Sequence, residues 1–118
     1  MTDYTSKVCV ACSADANPAS TNEINDFLKE YLEWHLATDV SFPQLRREYR
    51  FTNFLDAQIF VNSIGDLAEA EGHHPSLLLE YGKVTVRWWS HKIESLHIND
   101  FILSSKTEEI YKLNLRSR

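Results

Sequence analysis

Apolar side chains recur along this chain at two periods, near 3.6 and near 2, and the switches between them predict seven elements. Ser20-Thr21-Asn22-Glu23 supplies N-cap side chains with an acidic first turn. Ile24, Phe27, Leu28, Tyr31 and Leu32 then repeat at helical spacing, so a first helix is expected over about residues 21–32. Glu33-Trp34-His35-Leu36 reads as a short strand and Thr38 to Pro43 as a turn. Leu45-Arg46-Arg47-Glu48-Tyr49-Arg50-Phe51 alternates apolar and charged residues, giving a hairpin with one solvated face. Thr52 or Asn53 caps a second helix, in which Ala57, Phe60, Val61, Ile64, Leu67 and Ala68 form one stripe and Asp56, Asn62, Asp66 and Glu69 face elsewhere. Gly72 ends it. Leu77 to Tyr81 and Val84 to His91 are strand-like runs, and Gly82-Lys83 between them fits a type II′ turn with the Gly leading. Ile98, Phe101, Ile102, Ile110, Tyr111 and Leu113 predict a closing helix over about residues 97–113.

The order α-β-β-α-β-β-α predicts an α+β fold: a two-layer sandwich of a four-stranded antiparallel sheet with three helices on one face. Trp88 and Trp89 are neighbours on one strand and must point to opposite faces. One indole is then left outside a core that helices cover on one side only, which predicts self-association into a closed oligomer.

A chain of 118 residues suffices for one core, so residues 21–118 are expected to form a single domain behind a flexible leader over residues 1–20. A net charge of −5 and the lack of a long basic run argue against direct nucleic-acid binding and against an anionic membrane surface. A neutral small molecule or a protein partner fits better. No apolar run approaches the roughly 20 residues of a membrane span. The N-terminal residues also lack the basic start and apolar middle of a secretion signal, so a cytoplasmic protein is expected. Cys9 and Cys12 form a lone C-x-x-C in the leader; without a second pair they read as reduced surface thiols.

The histidines carry the candidate chemistry. With Gly82-Lys83 as the loop, Tyr81 faces Val84, Leu79 faces Val86, Leu77 faces Trp88 and His74 faces His91. That pairing would set two imidazole-bearing Cβ atoms about 4.5 to 5.5 Å apart. His73 precedes His74, and Glu69 lies one helical turn back, so three elements assemble His73, His74, His91 and Glu69. Imidazole, with an ordinary pKa of about 6.5, gives and accepts protons near neutrality, which suits general acid–base catalysis. His35 and His97 stand alone and read as ordinary side chains, Pro75 as a strand-entry residue, and Asp100 as a carboxylate in the first turn of the last helix. Adjacent His73 and His74 project to different sides of an extended chain, which disfavours a metal site; no redox or cofactor motif is present.

Glu69-Ala70-Glu71-Gly72-His73-His74-Pro75, with Tyr81, His91 and Asp100 following in order, resembles the signature of the pterin-4a-carbinolamine dehydratases. Trp34, Leu45 to Phe51, the Phe54 to Val61 helix start and Tyr81-Gly82-Lys83-Val84 extend the likeness over nearly all of the chain after the leader. The resemblance implies helices on one face of a four-stranded antiparallel sheet. It implies elimination of water from 4a-hydroxytetrahydropterin to quinonoid dihydropterin, the recycling step behind pterin-dependent hydroxylases. The family's catalytic residues would fall on His73, His74 and His91, with Glu69 and Asp100 as supporting carboxylates and Pro75, Ser90 and Lys92 beside the pterin. The resemblance also points to a homodimer or homotetramer, and some members also act as dimerisation cofactors of a transcription factor through a helical surface. Two departures stand out. Leu77 replaces an aromatic common after His-His-Pro, so one pocket wall is expected to differ. Ser95-Leu96-His97 replaces Gly-Leu-Thr or Gly-Leu-Ser, putting an imidazole where an N-cap hydroxyl stood and predicting a weaker cap.

Overall fold

The computed structural model describes residues 4–7 and 17–116. Cys9 and Cys12 lie outside the described residues. The elements run α1 (Thr21–Glu30), β1 (His35–Leu36), β2 (Leu45–Arg50), α2 (Phe54–Glu71), β3 (Ser76–Glu80), β4 (Lys83–Trp88) and α3 (Ile98–Arg116), the expected α+β order. All strand pairs are antiparallel, in the order β1-β2-β4-β3.

Local chemistry fixes the helix ends. Ser20 and Glu23 form a capping box: the Ser20 hydroxyl accepts from the Glu23 N–H at 3.1 Å, and the Glu23 carboxylate accepts from the Ser20 N–H at 2.8 Å. Asn53 caps α2 by accepting from the Asp56 N–H at 2.8 Å. Gly72 stops α2 in the left-handed conformation, φ 65°.

Leu45 and Tyr49 of β2 and Val84, Val86 and Trp88 of β4 are fully buried beneath Phe60 and Ile64 of α2 and Leu103 of α3. Phe27 docks α1 by stacking on Phe101 at 4.9 Å, and Tyr4 packs against both rings. The alternate side chains make the other sheet face polar, with Glu48 ion-paired to Arg46 and Arg87 to Asp39. No described helix is long and apolar enough to cross a membrane.

Two expectations change. The β3–β4 ladder pairs Glu80 with Lys83, Leu79 with Val84 and Leu77 with Val86, so the loop is Tyr81-Gly82, not Gly82-Lys83. Positive φ, 73°, falls on the second loop residue, whereas a type II′ turn would need it on the first. The register moves by two residues, which preserves side-chain parity and therefore the core face. It does remove the His74–His91 ladder pair, because β3 begins at Ser76 and β4 ends at Trp88. The second change concerns the tryptophans. Trp88 is buried and donates Nε1–H to the Thr107 hydroxyl at 3.1 Å. Trp89, just past β4, is half-buried against Phe42 and His91, so the ring expected to look outward finds partners within the chain.

Candidate active site

Where α2 ends, the left-handed turn at Gly72 sends His73 inward and leaves His74 outside. His73 is 4% exposed, with its ring stacked on Trp88 at 6.0 Å and Nε2 2.8 Å from Asp100 Oδ1. Asp100, 0% exposed, sits in the first turn of α3. Its Oδ2 accepts from the Ser90 hydroxyl at 2.8 Å and from the His97 N–H at 2.9 Å. A buried carboxylate needs donors on both oxygens, and this one has them.

His97 immediately precedes α3, and its Nδ1 accepts from the Asn99 N–H at 3.1 Å. A cap is present without a hydroxyl: the ring nitrogen supplies the acceptor. Asp100 accepts in return from the His97 N–H, so the carboxylate half of a capping box is present while the ring itself caps the Asn99 N–H.

His74 is exposed and its Nε2 lies 2.5 Å from Glu69 Oε2, across the α2 terminus. His91 lies in the turn after β4, which Ser90 and Ser95 close through a backbone bond of 2.9 Å. Glu94 in that turn takes a φ of 46°, costing roughly 1 kcal/mol for a residue with a Cβ. The His91 ring contacts the His74 backbone: Nε2–H donates to the His74 carbonyl at 2.9 Å. Its centroid is 6.5 Å from that of His73.

A cavity of about 300 Å³ opens among Gly72, His73, His74, His91 and Lys92. The three histidines and Lys92 therefore converge. Glu69 reaches this group through His74, while Ser90 and Asp100 are buried and reach it through His73. Pro75 leads half-buried into β3. Leu77 is half-buried on the core side of β3, paired with Val86. A larger hollow, about 360 Å³, lies elsewhere between Tyr31 to Trp34 and Glu108 with Lys112, and contains no imidazole. Among the described residues, no three His, Cys, Asp or Glu side chains are grouped to hold a metal ion.

Two features escaped the sequence reading. One is the aromatic backing of the site, with Trp88 behind His73 and Trp89 stacked on His91 at 4.3 Å. The other is Glu108, which accepts from Trp34 Nε1, from the Tyr49 hydroxyl and from Arg47. The adjacent tryptophans were the available signal for the first. Nothing local in the sequence signals the second, because its members lie about 60 or more residues apart in sequence.

A helix-covered four-stranded sheet with a histidine-lined cleft at one end defines a class, and comparison with known proteins supplies its family. The family model described as pterin 4 alpha carbinolamine dehydratase matches residues 17–110. A Marinobacter nauticus protein provisionally named pterin-4-alpha-carbinolamine dehydratase is 50% identical over 111 residues, covering 94% of this chain and all of its relative. A Vibrio vulnificus protein with the same provisional name is 49% identical, covering 88% of this chain and 94% of the relative. The chain belongs to the pterin-4a-carbinolamine dehydratase family. The fold is also that of a Brucella melitensis transcriptional coactivator/pterin dehydratase, with a TM-score of 0.74 at 23% identity over 80% of this chain and 99% of that one. It is shared more loosely by a pterin dehydratase-like protein identified as a RuBisCO assembly factor, with a TM-score of 0.57 at 14% identity over 67% and 89% of the two chains.

Proposed function

We propose that this protein dehydrates 4a-hydroxytetrahydropterin to quinonoid dihydropterin by histidine acid–base catalysis, in the recycling of tetrahydrobiopterin. The observation that carries the reading is the convergence of His73, His74 and His91 on one cavity. The C4a–O bond breaks with its electron pair on oxygen, so the leaving group needs a proton. The C4a=N5 double bond forms as the N5 proton leaves, so a base is also needed. His73 and His91 take these two roles, while His74, tied to Glu69, positions the pterin. A well-placed imidazole contributes about 10²- to 10⁴-fold in rate at each transfer, enough to make a metal unnecessary. The three Nε2 atoms are engaged by three separate acceptors, Asp100, Glu69 and the His74 carbonyl, which suits proton transfer better than shared ligation.

The decisive experiment is turnover of freshly generated 4a-hydroxytetrahydropterin by the purified chain. Rate enhancement that survives exhaustive chelation is the expected result. Loss on chelation with recovery on adding zinc would replace this reading by a metal-dependent one. A second reading, a protein-binding module, is favoured by apolar side chains exposed on α2, Phe54, Leu55 and Ile59. It predicts partner binding that mutation of the histidines leaves intact.

A further inference from the structure

His91 is exposed and sits on a tight turn, where an imidazole ordinarily samples several rotamers. Two contacts restrain it from different directions. The bond from Nε2–H to the His74 carbonyl fixes one ring atom, at 2.9 Å. Trp89 lies against the imidazole with centroids 4.3 Å apart and planes 25° from parallel, which fixes the ring plane. The indole is itself held by Phe42, from the connection between β1 and β2, at a centroid distance of 6.1 Å. The hydrogen bond alone leaves the exposed ring free to swing about the N···O line and to break away from the carbonyl, after which either nitrogen can hold the hydrogen. The stack alone leaves it free to flip between tautomers. Together they determine where Nδ1 points and what it carries: a carbonyl only accepts, so Nε2 holds the hydrogen and the neutral ring has its lone pair on Nδ1.

We propose that Trp89 is the positioning residue of His91, holding the imidazole so that Nδ1 is the nitrogen that exchanges a proton with the substrate. This rests on the dehydration proposed above. Nδ1 accepts the N5 proton while the N5–H electron pair becomes the C4a=N5 π bond. The C4a–O pair departs on oxygen, which takes a proton from His73 and leaves as water. Solvent then resets both rings. Trp89 touches neither leaving group nor proton and acts only through the ring it stacks on.

The test uses the full chain with Trp89→Leu, which keeps apolar bulk without a flat face, Trp89→Ala, and Trp89→Phe, which keeps a face. Imidazole ¹⁵N shifts report the His91 tautomer whatever the substrate proves to be. Wild type is expected to show one tautomer with hydrogen on Nε2. Trp89→Leu is expected to show averaging at His91, with His73 unchanged, and a kcat lowered about tenfold or more at a KM within about twofold. Trp89→Phe is expected to restore most of both. If Trp89→Ala does not fold, the Leu variant decides. A folded Leu variant with the wild-type ¹⁵N pattern, or with a lost pattern and normal kcat, overturns the proposal. If wild type fails to turn over the pterin, the dehydratase reading falls, and the ¹⁵N comparison alone still decides whether Trp89 positions the ring.

Discussion

Tyr49 and His73 are both buried polar side chains on carboxylates, and they place different demands on them. The Tyr49 hydroxyl donates to Glu108 at 2.6 Å, beneath the Arg47 guanidinium at 4.1 Å from its ring. Burial first, and then the Glu108 charge, push the phenol well above its usual range. A raised folded-state value means that the native state keeps its proton where the unfolded chain releases it. The resulting stability is fully present below about pH 10 and is lost as pH climbs from there through the folded value. Thermal melts from pH 8 to 11 are expected to show this alkaline loss in wild type and a flatter profile in Tyr49→Phe. An unchanged slope in the variant would assign the loss to another group. For His73 and His91 the expectation is kinetic. Alanine at either position is expected to lower turnover by about tenfold or more in a folded protein, because it removes a side chain proposed to carry a proton. Circular dichroism beside the assay separates this from unfolding, and near-normal turnover in a folded variant takes that histidine out of the mechanism.

At the scale of elements, the termini of α2 and α3 build the site, and their sequence signals differ in reach. Gly72 was legible because a left-handed stop after a periodic run is a local property. Nothing lies within 4 Å of a Cβ built there, so Gly72→Ala pays only the backbone term. It is expected to cost about 1 to 2 kcal/mol in denaturant unfolding. A cost near zero would mean that the helix stops for another reason. His73, His74 and Glu69 were likewise legible as neighbours of this stop. The register of β3 against β4 was not, because a Gly in a two-residue loop can occupy either loop position. The Glu80–Lys83 pair closing the loop, with an ion pair of 3.4 Å, argues for the observed choice. The His74–His91 meeting survives this shift only as a ring-to-backbone contact made by the turn beyond the strands. The α3 cap shows a similar limit: residue preference argues against an imidazole at the N-cap, but preference does not record that an unprotonated Nδ1 accepts a hydrogen bond as a hydroxyl does.

For the whole molecule, the question is which surface remains without a partner once the core is closed. The outward indole that first suggested assembly is met by Phe42 and His91, so it no longer supports an oligomer. The stronger argument comes from α2, where Leu55 is 62% and Ile59 46% exposed, with Phe54 beside them. Residues 55 and 59 are four apart and share one helical face, opposite the stripe of Ala57, Phe60 and Ile64 that enters the core. A helix apolar on two sides is seldom left facing water on one of them. A second copy carries the same patch, and a two-fold axis through α2 would cover both at once, the commonest closed solution. The expected outcome is a mass of two or more chains at micromolar concentration by light scattering. Leu55→Glu with Ile59→Glu should shift it toward one chain while leaving the histidine cavity, on another part of the fold, competent for turnover. A wild-type mass of 13.7 kDa would show the monomer to be the stable species and would leave this face to a different partner.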